Sequence, residues 1–68
     1  MELSARNQLA GKVTLVRRGA VEAEVVIEVT GVQVLTGTIS LASVDRLKLK
    51  EGDAVTAVIK ATDVMVGK

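Results

Sequence analysis

About a third of this chain is β-branched: thirteen valines, three isoleucines and six threonines in 68 residues. Such side chains lose rotamer freedom in a helix and pack well on a pleated sheet. The clearest pattern covers 21–30, where apolar residues at every second position alternate with glutamate or threonine, interrupted only by Val26. Alternation with a period of two predicts a strand with one buried and one solvated face. Composition and pattern together predict an all-β fold.

The other segments predict further short strands and one helical turn. We expect strands over 12–18, 32–39 and 54–60, with a bulge or close approach at Gly37. A further candidate strand covers 64–66. The order predicts a small five-stranded OB-like barrel, a single domain over residues 1–68.

The helical turn falls between the third and fourth predicted strands. Leu41, Val44 and Leu47 lie three residues apart and give one apolar edge. Ser40 precedes this edge and is a favourable N-cap residue. We therefore predict a short helix over 40–47.

The chain lacks the residues that usually stabilise so small a domain. It has no cysteine, histidine, phenylalanine, tyrosine or tryptophan, although 49% of its residues are hydrophobic. Without a disulfide, a cation site or aromatic side chains, association with further copies is the remaining way to bury more surface. We expect a homo-oligomer and no bound metal cation.

Charge and hydropathy indicate neither a nucleic-acid surface nor a membrane segment. Nine basic and eight acidic residues give a net charge of +1, and no apolar run approaches the roughly 20 residues that span a bilayer. The first six residues lack the basic and apolar regions of a signal peptide. These features predict a cytoplasmic protein whose partners are neither nucleic acid nor membrane.

Five collinear segments carry a resemblance to a known family. They are Ser4-Ala5-Arg6-Asn7-Gln8 followed by Gly11-Lys12-Val13, Ala23-Glu24-Val25-Val26, Ile39 to Val44, Lys50-Glu51-Gly52, and Thr56 to Met65. In this order they resemble the Mop, or molbindin, family of molybdate- and tungstate-binding proteins. The resemblance implies an OB-like domain that exchanges strands in a dimer, with three dimers forming a hexamer. Because the sequence contains no helix-turn-helix and no Walker motif, it resembles the free-standing form that stores the oxyanion for molybdenum homeostasis.

The resemblance also implies which residues hold the anion. One copy would contribute Ser4, Arg6, Lys60 and Ala61, and a neighbouring copy Ser40, Leu41, Ala42 and Ser43. The family often has serine where this chain has Ala61, so only a backbone N–H would serve there. A second, weaker anion site would use backbone N–H groups of Gly19, Ala20 and Val21.

These residue types suit molybdate or tungstate. A guanidinium fork, an ammonium group, hydroxyls and backbone N–H groups together offer a dianion many donors and two positive charges. Molybdate and tungstate are fully deprotonated at neutral pH, whereas hydrogen phosphate carries a proton that needs an acceptor. A donor-only site therefore favours the first two anions.

Three other functions remain as alternatives. A nucleic-acid-binding OB module is the first, but such modules stack bases on aromatic side chains, which this chain lacks. An enzyme is the second. Glu22 and Glu24 share one strand face, yet there is no histidine, cysteine or recognisable nucleophile. A purely structural oligomer is the third. We favour oxyanion binding without catalysis.

Overall fold

The computed structural model of the chain describes residues 7–30 and 33–68. These residues form four strands, one α-helix and one 3₁₀ turn. In chain order the elements are β1 (Asn7–Arg18), β2 (Glu22–Val29), β3 (Gln33–Ser40), α1 (Leu41–Leu47), β4 (Ala54–Ile59) and the 3₁₀ turn (Ala61–Asp63). The predicted helix is confirmed, and the second, third and fourth predicted strands lie within two residues of their expected bounds.

The strands form one antiparallel sheet in the order β3-β2-β1-β4. The long first strand is shared between two neighbours. Residues 7–12 pair with β4, from Asn7 opposite Ile59 onward, while residues 11–18 pair with β2. The strand begins five residues earlier than predicted, because pairing with β4 extends a segment whose own sequence has little β preference.

The bulge lies in β1 and not at Gly37, where we expected it. Val13 pairs with Ile27 and Leu15 with Val26, which leaves Thr14 as the extra residue. A bulge bends and twists its strand, and this one follows directly on the segment of β1 that is shared with β4. Gly37 pairs in regular register, and a Cβ built on it meets nothing within 4 Å among the described residues.

Gly11 is the glycine that permits a close approach. A Cβ added there would lie 2.6 Å from the Ile27 side chain and 2.7 Å from the carbonyl oxygen of Glu28. The second atom is backbone and cannot move without disturbing the sheet. Gly11 therefore lets β1 and β2 approach closely where β1 also pairs with β4.

The buried core is small and consists of valine and alanine. It contains Val13, Ala23, Val25, Val44 and Ala57. Of these, Val44 is the contribution of α1, which packs against β2 and β3. No helix in the described ranges is long and apolar enough to cross a membrane.

One face of the sheet remains open. Apolar side chains from all four strands, among them Val13, Val25, Leu35 and Val55, line a groove of about 330 Å³, and Leu47 borders it from the helix. The two edge strands β3 and β4 do not pair with each other. The described residues thus form a half-open barrel, and we call this opening the apolar groove.

The predicted fifth strand does not form within the described chain. Residues 64–66 follow the 3₁₀ turn without pairing to any strand, and Val64, Met65 and Val66 are 50%, 92% and 93% exposed. A strand needs a neighbour for its backbone hydrogen bonds, and this segment has none among the described residues. The five-stranded prediction is corrected to four strands for this part of the chain.

Candidate functional site

Ser40 ends β3 and caps α1, as predicted. Its backbone is extended, with φ −67° and ψ 151°. Its Oγ accepts a hydrogen bond from the Ser43 N–H at 3.1 Å, and its hydroxyl donates to the Ser43 Oγ at 2.9 Å. The structure therefore brings these two hydroxyls together at the start of the helix, with Ser40 exposed and Ser43 half-buried.

The backbone N–H groups at the start of α1 differ in what they are free to bind. The Leu41 N–H donates to the carbonyl oxygen of Val21 at 3.3 Å, and the Ser43 N–H is held by the cap. The first N–H groups of a helix have no partner within it. Among the described residues, the Ala42 N–H has no other partner, so it remains available to a ligand.

The turn between β1 and β2 lies beside this helix start. The Gly19 N–H donates to the carbonyl oxygen of Glu22 at 2.7 Å. Of the three predicted donors of this turn, the N–H groups of Ala20 and Val21 are the two that this hydrogen bond does not use. The Leu41–Val21 hydrogen bond joins the turn to α1. We call this region, 18–22 together with 40–46, the helical end of the sheet.

An ion pair fixes α1 against β1 at the helical end. Arg18 Nη1 lies 3.0 Å from Asp45 Oδ1, and Nη2 lies 3.5 Å from Oδ2. Both side chains are more than half exposed, so the pair contributes at most about 1 kcal/mol to stability. It also occupies the Arg18 guanidinium.

Lys60 and Ala61 lie at the other end of β1. Lys60 follows β4 directly and precedes the 3₁₀ turn that Ala61 begins. Lys60 is exposed, and no carboxylate among the described residues pairs with it. We call this region, Asn7 together with 59–61, the β4 exit.

Ser4 and Arg6 lie outside the described residues. Asn7 is the first described residue, and it pairs with Ile59, the residue before Lys60. The Asn7 side chain also donates to the carbonyl oxygen of Ile59 at 3.1 Å, which fixes the start of β1 to the end of β4.

The described members of the two candidate sets lie far apart within one chain. Lys60 lies beside the first residue of β1, whereas Ser40 pairs with Glu22, just after the last residue of β1. Twelve residues of β1 separate them. At a rise of about 3.3 Å per residue, the ends of such a strand lie on the order of 30 Å apart. Lys60 and Ala61 therefore cannot reach the same anion as Ser40 and Ser43 of their own chain.

Sequence reasoning missed two residues that the structure places at these ends. Asn7 belongs to the motif that carried the family resemblance, yet we gave it no role. Arg46 lies three residues after Ser43, a spacing that makes neighbours on a helix surface, and its Nη2 is 3.5 Å from the Ser43 Oγ. The spacing of three residues between Ser43 and Arg46 in a predicted helix was the sequence signal that could have identified Arg46.

Comparison with known proteins places this fold in a defined class. The model of the TOBE domain family matches residues 3–66. The molybdenum-pterin-binding protein 3 of Clostridium pasteurianum is 56% identical over 66 residues, which is 97% of each chain.

Two solved structures are also similar. MopII from Clostridium pasteurianum, in an apo form, has a TM-score of 0.92 at 52% identity and covers 98% of this chain and 100% of its own. The cytoplasmic molybdate-binding protein ModG, with molybdate bound, has a TM-score of 0.91 at 42% identity and covers 96% of this chain and 46% of its own. The fold is thus that of a TOBE domain. Within that class, the chain belongs to the Mop, or molbindin, family.

Proposed function

We propose that this chain binds molybdate and tungstate in the cytoplasm and stores them for molybdenum homeostasis, with residues 1–68 acting as a single Mop domain. The observation that carries the ligand assignment is the likeness to ModG with molybdate bound. The name of the Clostridium pasteurianum relative also refers to molybdenum. None of these names supports the nucleic-acid alternative. The cytoplasmic location is supported by the description of ModG as cytoplasmic.

The anion site in this proposal lies between two copies. One copy contributes Lys60 and Ala61 of its β4 exit together with its Ser4 and Arg6. Another copy contributes Ser40, Leu41, Ala42 and Ser43 of its helical end. The separation of the two ends of β1 supports this division. Since the Leu41 N–H is occupied by Val21, the Ala42 N–H is the backbone donor that we assign to the anion.

A second, weaker anion site is proposed at the turn of 19–21. The Gly19 N–H is engaged with Glu22, so the donors there would be the N–H groups of Ala20 and Val21. Arg17 and Arg18 precede the turn. Because Asp45 pairs with Arg18, Arg17 is the cation nearest to the turn in sequence that has no ion pair among the described residues.

The assembly in this proposal is a hexamer of three strand-exchanged dimers. An open apolar groove and an exposed apolar segment, 64–66, both need a partner in water. A second copy can supply both partners, because segment 64–66 of one chain can cover the apolar groove of the next. A closed symmetric oligomer can also bring the β4 exit of one copy to the helical end of another.

Anion selectivity tests the function directly. We expect isothermal calorimetry to show molybdate and tungstate binding with affinities that agree within about tenfold, since both are tetrahedral dianions without a proton. Hydrogen phosphate and single-stranded DNA should give no measurable heat of binding. Phosphate competing at equal concentration would contradict the donor-only site.

Ser40 has two proposed roles that two substitutions separate. Ser40→Ala removes the cap and the ligand hydroxyl, so we expect a loss of about 1 kcal/mol in the free energy of unfolding together with weaker molybdate binding. Ser40→Asp keeps a cap acceptor but places a negative charge at the anion. It should unfold like the wild type and bind no molybdate. Thermal unfolding and calorimetry on both variants give the two readouts; wild-type molybdate affinity in Ser40→Asp would remove Ser40 from the site.

A further inference from the structure

Arg46 is the cation nearest to the paired serine hydroxyls in the described chain. It lies in the last turn of α1, and its guanidinium reaches back to Ser43 at 3.5 Å. The acidic residue beside it, Asp45, is already held by Arg18. No carboxylate among the described residues pairs with Arg46, so its charge is not neutralised there.

We propose that Arg46 is a positioning and specificity residue of the anion site, which directs the Ser43 hydroxyl hydrogen toward the anion and supplies a further positive charge. This inference rests on the proposed function. It adds a residue outside the set Ser4, Arg6, Lys60, Ala61 and 40–43.

The hydrogen-bonding capacity of a hydroxyl explains how this works. A serine hydroxyl has one hydrogen and two lone pairs. The Ser43 Oγ faces the Ser40 hydroxyl on one side and the Arg46 guanidinium on the other. When these two donors occupy both lone pairs of the Ser43 Oγ, the Ser43 hydroxyl hydrogen points away from Ser40 and Arg46. If Ser40 turns its own hydrogen to the anion, Arg46 still occupies one lone pair of Ser43.

Two consequences follow for selectivity. A Ser43 oxygen that already faces a cation is a poor acceptor for the proton of hydrogen phosphate, so Arg46 disfavours protonated anions. Glu22 pairs with Ser40 across β2 and β3, and its negative charge disfavours any anion at the helical end. The positive charge of Arg46 offsets this repulsion. At a contact of 3.5 Å the effect is mainly electrostatic, since a strong hydrogen bond is shorter.

The test is calorimetry of the full chain with sodium molybdate and, separately, with inorganic phosphate at neutral pH. Arg46→Met removes charge and donor while keeping an unbranched side chain. We expect about a three- to tenfold loss of molybdate affinity, and this loss should shrink as salt screens the charge. Phosphate binding should remain undetectable, as in the wild type, or become measurable. Arg46→Lys keeps a charge and a donor and should recover most of the molybdate affinity.

The matched control is Lys48→Gln, which removes one positive charge two residues further along. Within the described chain, Lys48 makes no hydrogen bond to Ser43. This substitution should change molybdate affinity by less than twofold. Equal losses of molybdate affinity in Arg46→Met and Lys48→Gln, or a loss in Arg46→Met that Arg46→Lys does not recover, would overturn the inference while leaving molybdate binding intact. A wild-type chain that binds no molybdate would instead overturn the proposed function.

Discussion

Arg6→Ala should lower molybdate affinity by tenfold to a hundredfold and leave the fold and the assembly unchanged. A hydrogen bond to a charged group contributes about 1.5–3 kcal/mol, and a bidentate one to a dianion belongs near the top of that range. Arg6→Lys should recover only part of the loss, because lysine keeps the charge but not the planar fork. Calorimetry with molybdate, with subunit count followed by native mass spectrometry, measures both effects.

Lys12→Ala is the matched control for Arg6. Lys12 is an exposed cation in the middle of β1, outside both the helical end and the β4 exit. Its loss should change molybdate affinity by less than twofold. Comparable losses in the two variants would mean that Arg6 acts only through net charge. Dissociation of ligand-free Arg6→Ala would make Arg6 a structural residue instead.

The secondary structure could be predicted wherever the local sequence of an element has its own pattern. Alternation over 21–30 predicted β2, and the Ser40 cap with its apolar edge predicted α1. The start of β1 could not be predicted, since residues 7–11 have no alternation and become a strand through pairing with β4. The bulge at Thr14 has no local sequence signal either. It depends on the register that β2 imposes.

The candidate site could be predicted only through the family resemblance. Composition showed that a donor-only anion site was chemically possible, but not which donors meet. The structure adds that Ser40 and Ser43 touch each other and that Lys60 lies at the opposite end of β1. The proposed site is divided between copies, and such a site leaves no spacing pattern in one chain, because assembly and not local folding would bring its halves together.

The assembly itself can be tested through Gly37. Gly37 pairs directly with the buried Val25, and residues opposite each other on neighbouring strands project to the same face. A side chain at position 37 therefore points into the apolar groove, where a Cβ meets nothing within 4 Å among the described residues. Leucine there has room in an isolated chain and none beside a second copy that fills the groove.

Gly37→Leu should therefore dissociate the proposed hexamer while leaving the chain folded. Overpacking costs about 1–3 kcal/mol per site, and the same clash recurs in every copy of a symmetric assembly, so we expect the subunits to separate at micromolar concentration. Molybdate binding should fall as the assembly dissociates, because each released chain has its β4 exit and its helical end at opposite ends of β1.

Thr38→Leu is the matched control. Thr38 pairs with Glu24 on the other face of the sheet and is exposed, so this substitution adds the same side chain outside the groove. Sedimentation and molybdate titration of both variants measure the effect. A wild-type chain that sediments as a folded monomer, or a Gly37→Leu chain that stays hexameric, would show that no second copy occupies the groove.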